Sequence, residues 1–281
     1  MAPRMQIPST VADDVARQLA EDIGTGDVTG GLIDSAAQAM AHIVCREGAV
    51  LAGRPWAEAC FHQLDPSIRI QWHFDDGDRI DAGAELCRIQ GNARALLVGE
   101  RNALNFLQTL SGTATVSRRY VDAVAGTGAT ILDTRKTLPG LRAAQKYAVR
   151  CGGGSNHRFG LFDMVLIKEN HVMAAGGIAP AIAAARRSAP GVFVLCEVED
   201  LAQLREAMAA GADRVMLDDF STAMLHEAVA LAAGRVPLEV SGGVDLARVR
   251  QIAEAGVDFI SIGALTKHVQ AIDLSMRFDA L

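Results

Sequence analysis

Aromatic residues make up only 5% of this 281-residue chain, although half of it is hydrophobic. Its core must therefore be packed mostly from Ala, Val, Leu and Ile. Cysteine is sparse: Cys45, Cys60, Cys87, Cys151 and Cys196 are scattered, odd in number and form no CxxC pair. Neither a zinc site nor a disulfide framework is indicated, and a reducing cytoplasm fits best. No apolar run approaches the roughly 18 residues needed to span a bilayer. The opening stretch, MAPRMQIPST, lacks the apolar centre of a signal peptide. A positive balance is missing too. The formal net charge of −6 argues against a nucleic-acid binder. The length favours one or two domains.

Against that acidic background, one stretch is locally basic. It runs from Asp133 to His171 as DTRKTLPGLRAAQKYAVRCGGGSNHRFGLFDMVLIKENH. Arg135, Lys136, His157, Arg158 and Lys168 fall there, interrupted by Gly152, Gly153 and Gly154. Arg offers a planar fork that matches carboxylates and phosphates, and Lys a compact point charge. Glycines let backbone N–H groups close on an anion. The pattern points to a substrate carrying several negative charges. Arg142, Lys146 and Arg150 recur at helical spacing and read as the solvated face of one helix. The triple glycine reads either as an anion cradle or as a loose loop.

Residues 10–21 read as a helix entered through Ser9 or Thr10, followed by the glycine-rich EDIGTGDVTG. From about residue 39 to 98, short strands alternate with turns, which indicates a small sheet-containing first domain. GERNALNFLQTLSGTATVSRRYVDAV is helical, with Leu104, Leu107 and Leu110 forming an apolar stripe. The second half repeats strand, loop and helix. VFVLCEVE, RVMLDDF, PLEVSGGV and FISIGALT place Glu197, Asp218, Ser241 and Gly263 at equivalent strand ends. That is the rhythm of a parallel barrel or doubly wound sheet. In a barrel these residues, with Arg135 and Lys168, converge on the C-terminal mouth. SGGV and SIGALT are placed there either to hold phosphate or simply to turn from strand to helix.

Several of these motifs, in this order, resemble the quinolinate phosphoribosyltransferase family over essentially the full length. They are EDIGTGDVT, ERNALNFLQTLSGTAT, the TRKT–PGLR–GGG–NHR–IKENH block, CEVE, LDD, SGG and SIGALT. The resemblance implies transfer of phosphoribosyl from 5-phosphoribosyl-1-diphosphate to quinolinate, with loss of CO2, to give nicotinate mononucleotide. It implies an α/β fold of the type II phosphoribosyltransferase kind. An open-faced N-terminal sandwich over 1–114 would join an incomplete α/β barrel over 115–267, and residues 268–281 would return to the first domain. By resemblance, Arg135, His157, Arg158 and Lys168 surround the quinolinate carboxylates, with Lys136 nearby and Thr134 adding a hydroxyl. Glu197 and Asp218 serve the ribose hydroxyls and Mg2+, and Ser241, Gly242 and Gly263 hold phosphate through backbone N–H groups. Lys136, Lys168, Glu197 and Asp218 are the implied catalytic groups. Arg101 falls on the position that reaches the neighbouring subunit's site, which implies at least a homodimer and leaves dimer and hexamer open. No covalent nucleophile is called for; Cys151 and Cys196 read as structural, and His171 of the ENH triplet reads either as structural or as a ligand contact.

Two departures from the family pattern stand out: Glu169 where Asp is frequent, and Lys267-His268 where His-Ser is frequent. The second leaves the role of Lys267 open. Competing readings are the relative associated with molybdate transport, a nicotinate phosphoribosyltransferase, and a non-catalytic anion binder on the same scaffold. Lys168 argues against the first, and the density of Arg and Lys against the second. The acidic pair Glu197 and Asp218 argues against the third, since carboxylate binding alone has no need of it.

Overall fold

The computed structural model describes residues 6–279. Residues 1–5 and 280–281, which the expected first domain and C-terminal segment include, lie outside the described residues. The chain divides into two compact units. The first gathers the residues up to Arg118, Thr137–Gly153 and those from Ala264 onward; the second comprises Arg119–Lys136 and Gly154–Gly263. Relative to the expected division after 114 and 267, the crossing falls later in the linking helix, and Thr137–Gly153 groups with the first unit.

In the first unit, α1 (Val11–Ile23) starts at Thr10 and carries Asp13 and Asp14 in its first turn, where acidic groups suit the helix dipole. It buries Val15 and Leu19 and ends at Gly24, whose φ of +51° a side chain would resist. It packs on α2 (Arg54–Leu64), and Trp56 Nε1 donates to the buried Asp14 carboxylate at 3.1 Å. The sheet holds β1 (Gln38–Cys45), β3 (Arg69–Trp72), β5 (Glu85–Asn92) and β12 (Leu274–Phe278). They lie antiparallel in the order β12-β1-β5-β3. Burial alternates along β1: Ala39, Ala41, Ile43 and Cys45 face the core, and the residues between them are more exposed. A sheet covered on one face reads with this period of two. A small second ladder pairs β2 (Ala49–Val50) with β4 (Arg79–Ile80).

The linking helix α3 (Ala93–Ala123) buries the Leu104, Leu107 and Leu110 stripe almost completely. The C-terminal segment comes so close to it that a Cβ at Gly112 would run into the carbonyl oxygen of Gln270. The short α10 (Ala264–Lys267) belongs to the same unit. Lys267 is exposed.

Helix α4 (Arg142–Cys151) overturns one expectation. Lys146 is fully buried, and Arg142 and Arg150 are half-buried, so the three are not a solvated face. The neighbouring Tyr147 is buried as well, and its hydroxyl donates to Asp76 at 2.7 Å. The triple glycine that follows is not a loose loop. A Cβ at Gly152 would lie 2.5 Å from both the Ala114 carbonyl and Ser117 Cβ of α3, so glycine is what lets this turn close on that helix.

The second unit is built on six parallel strands in the order β6-β11-β10-β9-β8-β7. They are β6 (Thr130–Leu132), β7 (Val165–Ile167), β8 (Val194–Val198), β9 (Arg214–Asp218), β10 (Leu238–Ser241) and β11 (Phe259–Ser261). A single parallel bridge from Ser155 to Leu132 extends the sheet beyond β6. Helices α5 (Glu169–Ala175), α6 (Ile178–Ser188), α7 (Leu201–Ala209), α8 (Thr222–Ala232) and α9 (Val249–Glu254) connect the strands from β7 to β11. Asp200 caps α7 by accepting from the backbone N–H groups of Ala202 and Gln203, at 2.7 and 2.8 Å. The strand–helix rhythm left a parallel barrel and a doubly wound sheet open; the parallel sheet fits the incomplete α/β barrel that the family resemblance implies.

Candidate active site

At the C-terminal ends of the parallel strands the second unit holds a cavity of about 520 Å³. Its lining comprises Thr134, Arg135, Lys136, His157, Arg158, Leu166, Lys168, Glu197, Met216, Asp218, Ser241, Gly242 and Ser261. Parallel strands bring residues distant in sequence to one mouth because each strand ends on the same side.

The basic side chains come from the turns after β6 and β7. Thr134 Oγ1 accepts the Lys136 backbone N–H at 3.1 Å, which shapes the turn that carries Arg135. Asp133, fully buried, accepts from the His157 backbone N–H at 2.9 Å and from Asn156 Nδ2 at 2.6 Å. That pins the NHR segment to the end of β6. Arg158 Nη1 donates to the Met164 carbonyl at 3.2 Å. Burial, and next to it the positive charge of Arg135, hold the Arg158 guanidinium below its ordinary pKa. Two cations therefore repel each other in a partly desolvated pocket, a field that an anion would relieve.

The acidic side chains come from β8 and β9. Glu197 Oε2 accepts from Lys168 Nζ at 2.9 Å, a half-exposed ion pair that joins the basic and acidic groups of the cavity. Burial, then the charges of Glu197 and Asp219, raise the Asp218 pKa, while Lys168 and Lys136 oppose the rise. Asp219 takes a positive φ of 53°, a conformation Asp tolerates better than most residues. Gly242 has φ +90°, and a Cβ there would lie 2.9 Å from Asp219 Oδ1, so only glycine fits this turn.

Two expected residues stand outside the lining. Gly263 is close by, and a Cβ there would lie 2.9 Å from Lys136 Cδ. Arg101 sits exposed on α3 in the first unit. His171 Nδ1 accepts the Lys168 backbone N–H at the start of α5, at 3.1 Å. Burial pushes the Cys196 thiol up to about 11 and the Cys151 thiol higher still, which keeps both protonated and poorly nucleophilic.

Sequence reading missed Leu166, Met216 and Ser261 in the lining, and Glu239 and Arg214 beneath it. The signal was the period of two along each strand. Leu166 stands two residues before Lys168, Met216 two before Asp218, and Glu239 two before Ser241.

Family profiles match nearly the whole chain. "Quinolinate phosphoribosyl transferase, N-terminal domain" covers residues 25–111, and its C-terminal domain covers residues 113–277. The chain is 41% identical over 282 residues to the chloroplastic nicotinate-nucleotide pyrophosphorylase [carboxylating] of Arabidopsis thaliana, covering 93% of this chain and 80% of that one. It is 42% identical over 257 residues to the probable nicotinate-nucleotide pyrophosphorylase [carboxylating] of Bacillus subtilis (strain 168), covering 91% and 89%. The solved nicotinate-nucleotide pyrophosphorylase of Francisella tularensis superposes with a TM-score of 0.95 at 47% identity, over 98% of each chain. Motifs, fold and relatives agree, and the chain belongs to the quinolinate phosphoribosyltransferase family.

Proposed function

We infer that the chain transfers phosphoribosyl from 5-phosphoribosyl-1-diphosphate to quinolinate, giving nicotinate mononucleotide, pyrophosphate and CO2 in the synthesis of NAD. The observation that carries this is one cavity uniting Arg135, Arg158 and Lys168 with the acidic pair Glu197 and Asp218. A pyridine with two carboxylates satisfies the paired guanidiniums, and the acidic pair suits ribose hydroxyls.

The chemistry is positioning and electrostatics. The pyridine nitrogen attacks ribose C1 as the bond from C1 to the diphosphate oxygen breaks. The 2-carboxylate then leaves as CO2, the electron pair of the broken bond stays on C2, stabilised by the adjacent quaternised nitrogen, and a proton from solvent is taken up there. Arg135, Arg158 and Lys168 hold the carboxylates in register for that attack. Lys136 faces the departing diphosphate, and Ser241 and Gly242 receive the 5-phosphate. Glu197 and Asp218 hold the ribose and stabilise positive charge at C1 as it develops.

Among the described residues no cluster of three or more acidic, His or Cys side chains forms a metal cage. The pair Glu197 and Asp218 nonetheless fits Mg2+, which takes one or two carboxylates and completes its shell with water and substrate phosphates. Bound there, the ion would supply charge neutralisation at the diphosphate.

Purified protein with Mg2+ and 5-phosphoribosyl-1-diphosphate is expected to release CO2 and nicotinate mononucleotide in equal amounts from quinolinate, and nothing from nicotinate. Turnover of nicotinate alone would overturn the two-carboxylate reading. No turnover by folded protein would favour a binding role.

The enzyme works as a homodimer with shared sites. Arg101, exposed on α3, supports this, as do Leu161 and Phe162, large apolar side chains exposed on one loop of the second unit. Mixing inactive Arg101→Ala and inactive Lys168→Ala proteins should then restore about a quarter of wild-type activity. Half the dimers are hybrids, and one of the two sites in each is intact. No recovery after demonstrated subunit exchange would refute the shared site. The working compartment is a reducing cytoplasm, with which five free, buried cysteines agree. No helix among the described residues is long and apolar enough to cross a membrane.

A further inference from the structure

Glu239, on β10, has no exposed surface and lies outside the cavity lining. A carboxylate so placed is costly unless charge and hydrogen bonds compensate it. Its oxygens divide the work. Oε2 accepts a hydrogen bond from Arg214 Nη1 at 2.9 Å, and Oε1 lies 3.2 Å from His157 Nε2, an ion-pair distance without hydrogen-bond alignment. Burial pushes the carboxyl up, but His157, Arg214 and Ser261 outweigh it and hold it below the usual range. Arg214 is itself fixed: its guanidinium carbon sits 3.7 Å from the centroid of the Phe259 ring. An arginine does not deprotonate, so Oε2 is permanently engaged and Oε1 faces the imidazole.

The other side of the imidazole is also committed. The Arg158 backbone N–H donates to His157 Nδ1 at 2.7 Å. A ring nitrogen that accepts an N–H carries no proton, so the ring proton is on Nε2, toward Glu239. With Nδ1 held by the backbone and Nε2 buried against Glu239, His157 offers the cavity carbon, not an N–H.

We propose that Glu239 is a positioning residue: braced by Arg214, it locks His157 in the Nε2–H form, so that the ring is a rigid wall for a planar substrate and Arg158 starts from a fixed backbone. This rests on the reading of the cavity as the quinolinate site. It revises the part expected of His157, because the two carboxylates are then left to Arg135, Arg158 and Lys168.

Ring-nitrogen spectra of 15N-labelled protein test the lock without any substrate, with His157→Gln identifying the relevant peaks. At neutral pH the expected pattern is a protonated Nε2 beside an unprotonated, accepting Nδ1. An Nδ1–H form or a doubly protonated ring would overturn the proposal. Glu239→Gln keeps the shape and removes the charge. It should mix the His157 ring forms and raise the KM for quinolinate by about tenfold or more. The KM for 5-phosphoribosyl-1-diphosphate should stay within about twofold. A folded Glu239→Gln protein with an unchanged ring pattern and unchanged quinolinate KM would also overturn it. Should that variant fail to fold, Arg214→Lys, which keeps the charge but loses the planar fork and its stacking, is read against the same outcomes. Failure of the unsubstituted protein to turn over quinolinate counts against the functional reading alone, and the ring spectra still decide the lock.

Discussion

Replacing Arg158 with alanine is expected to cut kcat/KM for quinolinate by between about thirtyfold and several thousandfold, while the melting temperature barely moves. Truncating one partner of a desolvated carboxylate–guanidinium pair removes charge-assisted hydrogen bonds and leaves the other charge without its counterpart. The fold, by contrast, gives up little. Without substrate, Arg158 is burdened by burial and by the repulsion of Arg135, and its removal relieves both. Loss of the hydrogen bond to the Met164 carbonyl works in the opposite direction. A site that is electrostatically uncomfortable when empty gives this separation of function from stability. Steady-state kinetics and calorimetry on the same preparation check it. Near-normal kcat/KM would remove Arg158 from the substrate site, and a collapse in melting temperature would make it a structural residue.

Asp218→Asn should be nearly as damaging to turnover, lowering kcat by about a hundredfold or more. The amide keeps the shape but cannot balance positive charge at C1. Its effect on stability depends on pH with a definite sign. The folded-state pKa of Asp218 is raised, first by burial and then by Glu197 and Asp219. Such a carboxyl contributes stability that is fully present below its ordinary value of 3.8 and is lost as pH rises through the raised value. The neutral amide escapes that loss. The variant should therefore melt as high as the wild type or higher near neutral pH, and lose its advantage toward pH 3.8 and below. A melting-temperature difference that ran the other way with pH would mean that the acidic cluster is stabilising, and the argument about its repulsion would fall.

The parallel sheet was legible because its strands are short, mainly apolar runs that stop at or near a polar or glycine residue. Glu197, Asp218, Ser241 and the residues after β6 and β7 could be assigned to one mouth for that reason. Lys146 was misread because charges at helical spacing report a shared helix face but not what covers it. Gly152 was ambiguous because its reason lies in a helix over thirty residues earlier in the chain. Glu239 was passed over because an acidic residue inside PLEV looks like an outward-facing strand position. Only its partners, Arg214 on β9 and His157 after β6, give it a purpose, and neither is near it in sequence. Arg101 has its expected meaning only across two chains, which one chain does not contain.

The pairing of β12 with β1 bears on how the protein is made. Its first unit is sewn from segments that precede and follow the second, most of which is one continuous stretch. During synthesis, the first unit's sheet cannot close until Leu274–Phe278 has left the ribosome. The usual order, in which the amino-terminal domain folds first, is therefore unavailable. The early strands wait with an open edge while the barrel residues emerge behind them. That edge is the segment most exposed to mispairing, and its protection falls to a strand translated only after the barrel residues.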